Sequence, residues 1–153
     1  MNAKVDITAL PFVRLEKDQT WFEAIPGERL TIRVHSSETG GKFSIMESIA
    51  GHGAATPTHT HVEDEVFHIL EGEVIFSLHG EISVLAKGDA IYIPGGAPHA
   101  WRNNAGTPAR MLAFFSPGGV EQMFTEIAGL ELPGIIEIAS KYGTVLVGPP
   151  IEA

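Results

Sequence analysis

Residues 29–36 read RLTIRVHS, with Leu30, Ile32 and Val34 alternating with polar neighbours. A period of two is the signature of a half-buried β-strand. Similar short runs follow: KFSIMESIA after the turn TGG, EVFHIL stopped by Glu71–Gly72, EVIFSL and EISVL around His79–Gly80, AIYI ended by Pro94-Gly95-Gly96, then HAWRN and ARMLAFF. Turn-forming residues punctuate these runs. His79–Gly80 predicts a hairpin. About eight strands of this kind predict an all-β jelly roll or closed barrel, folds that leave no long exposed edge.

After Gly118 the period changes. In GGVEQMFTEIAG, Val120, Met123, Phe124 and Ile127 recur at helical spacing. PGIIEIASKYG opens on proline and closes on Gly143, the usual start and stop of a helix. Two short helices are therefore expected, packed on the barrel, their apolar residues serving the core or a dimer contact. The expected layout is one domain over residues 1–153, with a barrel at about 29–116 and a helical segment at about 118–143.

Charge narrows the partners. Ten basic residues against nineteen acidic give a net charge of −9, which argues against nucleic acid. No apolar run approaches the roughly 18 residues of a spanning helix. MNAKVDITALPF lacks the layout of a secretory signal, so a cytoplasmic location is expected. The absence of cysteine rules out disulfides, thiolate ligands and a cysteine nucleophile.

Candidate chemistry is concentrated in HTHVEDEVFHILEG, residues 59–72. Side chains alternate faces along a strand, so His59 and His61 point the same way, about 6.6 Å apart. Two imidazoles at that spacing can share an ion at roughly 2.0–2.2 Å from each nitrogen. Glu65 has the same parity, and Phe67 and Ile69 continue that face. Two imidazoles and a carboxylate suit a divalent first-row metal. His99, after the turn IPGGAP, is the candidate fourth ligand. His68 has the opposite parity and is expected to face outward, and His52 to be exposed in its GHG loop. Glu63 and Asp64 are expected to be solvated at a turn; the alternative is that they orient an imidazole. Asn103 is expected to tie a loop. Candidates for the barrel lining are Phe43, Ile45, Phe67, Phe76, Tyr92, Trp101, Met111, Ala113 and Phe115. Of these, Phe67, Phe76, Tyr92, Trp101 and Phe115, together with Ile69, form the candidate substrate pocket.

These residues carry a family resemblance. Gly53, AATPT, His59-Thr60-His61, VED, Glu65, VFHILE and Gly72 reproduce the first motif of the cupins. Gly88, DAIYI, Pro94-Gly95-Gly96, AP, His99, AWR and Asn103 reproduce the second, 15 residues later. The chain resembles a small single-domain cupin. That resemblance implies a jelly-roll β-barrel, here with short C-terminal helices. It also implies one divalent transition metal (Fe, Mn, Ni, Co, Cu or Zn) held by His59, His61, Glu65 and His99, and in many members a homodimer. TGGKFSIME, FFSPGGVEQMF and IASKYGTVLVGPP are similar to the quercetin 2,3-dioxygenase-like group. This implies a dioxygenase that brings dioxygen to an aromatic or enolic small molecule, with Glu65 as ligand and base. The alternatives are a zinc-type cyclase or isomerase of polyketide-like substrates and a non-catalytic module that binds a small molecule.

Overall fold

The computed structural model describes residues 9–153. The expected alternation is clearest in β10 (Ala109–Ser116), where every second residue is buried. It pairs antiparallel with β3 (Ser44–Ala50) on one side and β5 (Asp64–Glu71) on the other. The registers set inward residues in rows: Phe115 lies between Ser44 and Glu65, Ala113 between Met46 and Phe67, and Met111 between Ser48 and Ile69. Adding β1 (Phe22–Ile25), β2 (Glu28–Val34) and β8 (Ala90–Ile93) gives a six-stranded sheet in the order β1-β2-β3-β10-β5-β8.

A second sheet has the order β11-β4-β9-β6-β7, from β4 (Pro57–Thr60), β6 (Glu73–Leu78), β7 (Glu81–Ala86), β9 (His99–Arg102) and β11 (Val145–Pro150). The expected hairpin joins β6 to β7, and both His79 (φ 52°) and Gly80 (φ 79°) adopt the left-handed conformation that a tight two-residue hairpin requires. The inner faces of the two sheets enclose the core, where Leu30, Ile69, Val74, Phe76, Ile93 and Met111 are fully buried. The architecture is the all-β jelly roll.

The described residues contain eleven strands. β1 and β11 fall outside the spans expected for the barrel and the helices. FEAI is too short to show a period, and VLVGPP carries two prolines that suit only an edge strand. On β3 the expected parity is reversed. Ser44, Met46 and Ser48 are buried, Ile45 lies on the other face, and Phe43 stacks on Phe114 at 5.4 Å. Phe43 and Ile45 therefore do not line the barrel.

Helix α1 (Glu121–Ile127) contacts β1 and β3, and α2 (Leu132–Lys141) contacts β11, so the pair closes one mouth of the barrel. Pro133 sits in the first turn of α2, as expected. No helix among the described residues is long and apolar enough to cross a membrane. Asn103 ties the loop after β9, donating to the carbonyls of Ala50 (2.9 Å) and Thr107 (3.0 Å) and accepting from the Ala105 N–H (2.8 Å).

Candidate metal centre

Strands β4 and β9 pair with His59 directly opposite His99, and their rings lie 4.3 Å apart. His61 follows β4, and Glu65 projects from β5 into the same interior. The turn at 94–97 locks these pieces together. Gly96 N–H donates to the His61 carbonyl (2.7 Å) and Gly95 N–H to the Asp64 carboxylate (2.8 Å). A Cβ at Gly95 would collide with the Val62 carbonyl, so only glycine permits this approach.

Each imidazole is oriented through its outer nitrogen. His59 Nδ1 donates to the Pro57 carbonyl (2.8 Å), His61 Nδ1 to the Glu63 carbonyl (3.1 Å) and His99 Nδ1 to the Ala97 carbonyl (2.8 Å). A carbonyl can only accept, so each Nδ1 carries a proton and Nε2 is the nitrogen left to bind. The three rings offer donor atoms all within 4.8 Å of one another. His99 Nε2 is buried without a hydrogen-bond partner. Glu65 Oε2 lies 2.8 Å from His61 Nε2 and 3.2 Å from His99 Nε2.

Electrostatics separate His59 from His61. Burial, with the neighbouring His99 adding to it, pulls the His59 pKa down to about 4, which keeps it a neutral donor. Burial also opposes charge on His61, but the Glu65 hydrogen bond and the charges of Glu65 and Glu63 outweigh it and raise its pKa. Burial of Glu65 favours its neutral form, yet the hydrogen bond with His61 and the nearby His99 ring hold its pKa below the usual carboxylate value. Three convergent imidazoles beside an ionised carboxylate are a donor set that fits a first-row divalent metal. The carbonyls on Nδ1 are the outer contacts that such a site needs to fix its ligands.

A cavity of about 250 Å³ opens onto His59, His61 and Glu65. Its walls include Phe67, Trp101 and Phe115, all expected in the pocket. Three other expected pocket residues are not in its wall. Ile69 and Phe76 are fully buried deeper in the core, where Phe76 packs behind Phe67 at 5.1 Å. Tyr92 is 57% exposed. It pairs with Val66, while Ile91 and Ile93 lie opposite the inward Phe67 and Glu65, so Tyr92 falls on the outer face.

Other residues join the site unexpectedly. Val120, Met123, Phe124 and Ile127 of the α1 segment, Ile135 of α2 and Leu146 of β11 line the cavity, so the helices wall the pocket as well as packing on the barrel. Helical spacing reveals an apolar face but not what that face covers. Glu63, expected in solvent, is 6% exposed, with its carboxylate 3.5 Å from His61 Nδ1. Asp64 is exposed and its role is the bond to Gly95. His68 is exposed as expected, and so is His52, which contacts the Ala105 carbonyl at 3.0 Å.

Glu28 and Ser48 also line the cavity. Ser48 Oγ donates to Glu28 Oε2 at 2.6 Å. Burial pushes the Glu28 pKa up to about 7; the Ser48 bond opposes this and the charge of Glu65 adds to it. The sequence did hold a signal for Glu28, which shares the inward parity of Leu30.

Residues 45–115 match the family model described as a cupin domain. The chain is 31% identical over 98 residues to the quercetin 2,3-dioxygenase of Bacillus subtilis, a match covering 63% of this chain and 29% of that protein. It is 44% identical over 55 residues to the acireductone dioxygenase of Parasynechococcus marenigrum, covering 33% of this chain and 29% of the relative. The chain thus spans under a third of the length of these two relatives. Among solved structures, an RmlC-like cupin from Shewanella frigidimarina superposes with a TM-score of 0.63 at 18% identity, covering 74% of this chain and 96% of that one. At that identity the likeness concerns the fold.

Proposed function

This chain is a cupin with quercetinase-like relatives, and from that premise we propose that it is a metal-dependent dioxygenase that opens an aromatic or enolic small molecule. His59, His61, His99 and Glu65 would hold one divalent transition metal. The observation that carries this reading is the shared orientation of the three rings, each with Nδ1 on a carbonyl and Nε2 turned to a common point beside a carboxylate. A bound ion supplies Lewis acidity towards a substrate oxygen and, when redox-active, one-electron chemistry with dioxygen.

The protein's own residues do the rest. Glu65, kept ionised by His61 and His99, can accept the proton of an enol or phenol hydroxyl presented at the centre. Phe67, Trp101 and Phe115 offer flat apolar surface for a ring beside it. Val120, Met123, Phe124 and Ile127 of the α1 segment extend that apolar surface. At about 250 Å³ the cavity falls just below the ~300–1,000 Å³ usual for small-molecule sites, which favours a compact substrate. Two dioxygenase relatives support the oxygen chemistry.

The test is elemental analysis of protein from its own host, followed by oxygen-electrode measurements with a panel of flavonols and other enols. A redox-active metal with substrate-dependent oxygen uptake is the expected result. Zinc without uptake would overturn the dioxygenase in favour of a cyclase or isomerase. A metal-free protein would leave a binding module.

A further inference from the structure

The oxygen chemistry leaves a carboxyl of the cavity unused. Glu28 opens β2 on the inward parity, is 4% exposed and lines the cavity. Its Oε2 accepts the Ser48 hydroxyl, while its Oε1 has no hydrogen-bond partner among the described residues. Among the described residues no lysine or arginine lines the cavity, so none of them stands ready to pair with a carboxylate there. A carboxyl buried without a cation favours its protonated form. With Oε2 already accepting from Ser48, the proton belongs on Oε1, a donor for which the described residues supply no acceptor.

Placement gives this donor a use. β2 and β5 are separated by β3 and β10, about 14 Å along the sheet at ~4.8 Å per strand. The sheet nevertheless curls so that Glu28 and Glu65 border one cavity. That cavity has two points with ionisable groups, His59 and His61 with Glu65, and Glu28 with Ser48; the hydroxyl-bearing Thr56 and Thr144 also border it, and the rest of its wall is apolar or backbone. We propose that Glu28 is a ligand-selecting residue: its carboxyl donates a hydrogen bond to a carbonyl or similar acceptor oxygen on a ring compound whose other oxygen faces the imidazoles. The inference deepens the function proposed above and rests on the cavity being the substrate pocket.

The test compares indanone with indane, the same bicyclic frame with and without a carbonyl. Affinities are measured by NMR titration of the full chain, as purified and after chelation, for wild type, Glu28→Met and Glu28→Gln. Wild type should prefer indanone about tenfold, with or without metal. Glu28→Met should lose the preference and still bind indane, whereas Glu28→Gln, whose amide can donate, should retain it. An independent readout needs no variant: the isotope-labelled carbonyl carbon of bound indanone should move downfield in wild type. Equal affinities in wild type, a preference undiminished in Glu28→Met, or a carbonyl shift like that in hydrocarbon solvent would each overturn the proposal. A ketone preference that survives in Glu28→Met but disappears on chelation would assign recognition to the metal. Native protein without metal would overturn the dioxygenase and leave the indanone result standing.

Discussion

Glu28→Gln should stabilise the protein, and by an amount that grows with pH. In the folded chain this carboxyl is 4% exposed and its pKa stands near 7 against an ordinary 4.5, chiefly through burial. Below about pH 4.5 the folded and unfolded states both hold the proton, so the group adds no pH dependence. As pH rises further, the unfolded chain releases its proton while the folded chain keeps it, and stability falls. Above about 7 the folded state carries the buried charge and the loss levels off. The gap between 4.5 and about 7 corresponds to about 3 kcal/mol. Glutamine is neutral throughout, nearly isosteric, and can still accept the Ser48 hydroxyl. Urea denaturation of chelator-treated protein should therefore show the variant within about 1 kcal/mol of wild type near pH 5 and ahead by up to about 3 kcal/mol near pH 8. A difference independent of pH, or a wild type that is the more stable near pH 8, would refute the argument.

The remaining predictions concern the centre and its walls. His59→Ala and His99→Ala should each lower the metal content found by elemental analysis and reduce the fall in Tm that chelation causes in wild type; unchanged occupancy in both would remove them as ligands. Glu63→Ala, which takes away a buried carboxylate 3.5 Å from His61 Nδ1, should weaken metal affinity about 10–100-fold in a chelator competition while circular dichroism is unchanged. Phe115→Ala should destabilise the fold by about 3 kcal/mol in urea denaturation, because Phe115 is a core residue as well as cavity wall. Tyr92→Ala, on the outer face, should shift stability by no more than about 0.5 kcal/mol and leave ligand affinity unchanged.

The residues gathered at the centre were legible because their positions follow local rules. His59, His61 and Glu65 share a face by parity, and IPGGAP announces the turn that delivers His99. The pocket was legible only where parity and depth coincide. Parity turns Ile69 inward as it does Phe67, but depth along the barrel depends on the register against β10, which a single strand does not encode. In AIYI nearly every residue is apolar, so alternation cannot tell Tyr92 from Ile91 or Ile93. Glu63 sits in a polar local sequence, yet the turn at 94–97 bonds to its neighbours His61 and Asp64, a contact that local pattern cannot supply. For α1 and α2, the pattern marks an apolar face, and only the tertiary arrangement shows that part of it borders a cavity.

Strand order also sets a timetable. Leu146 of β11 pairs with His59 of β4 and forms part of the cavity wall. Translation delivers residues in sequence, so β4, α1 and α2 all leave the ribosome before β11 does. Until residues 145–150 emerge, β4 has β9 on one side and an open edge on the other, and the cavity lacks a wall beside His59. The wall beside His59 is thus the last part of the cavity to be built. A small molecule that needs this wall can be held only once β11 has docked, after every candidate ligating residue has already emerged.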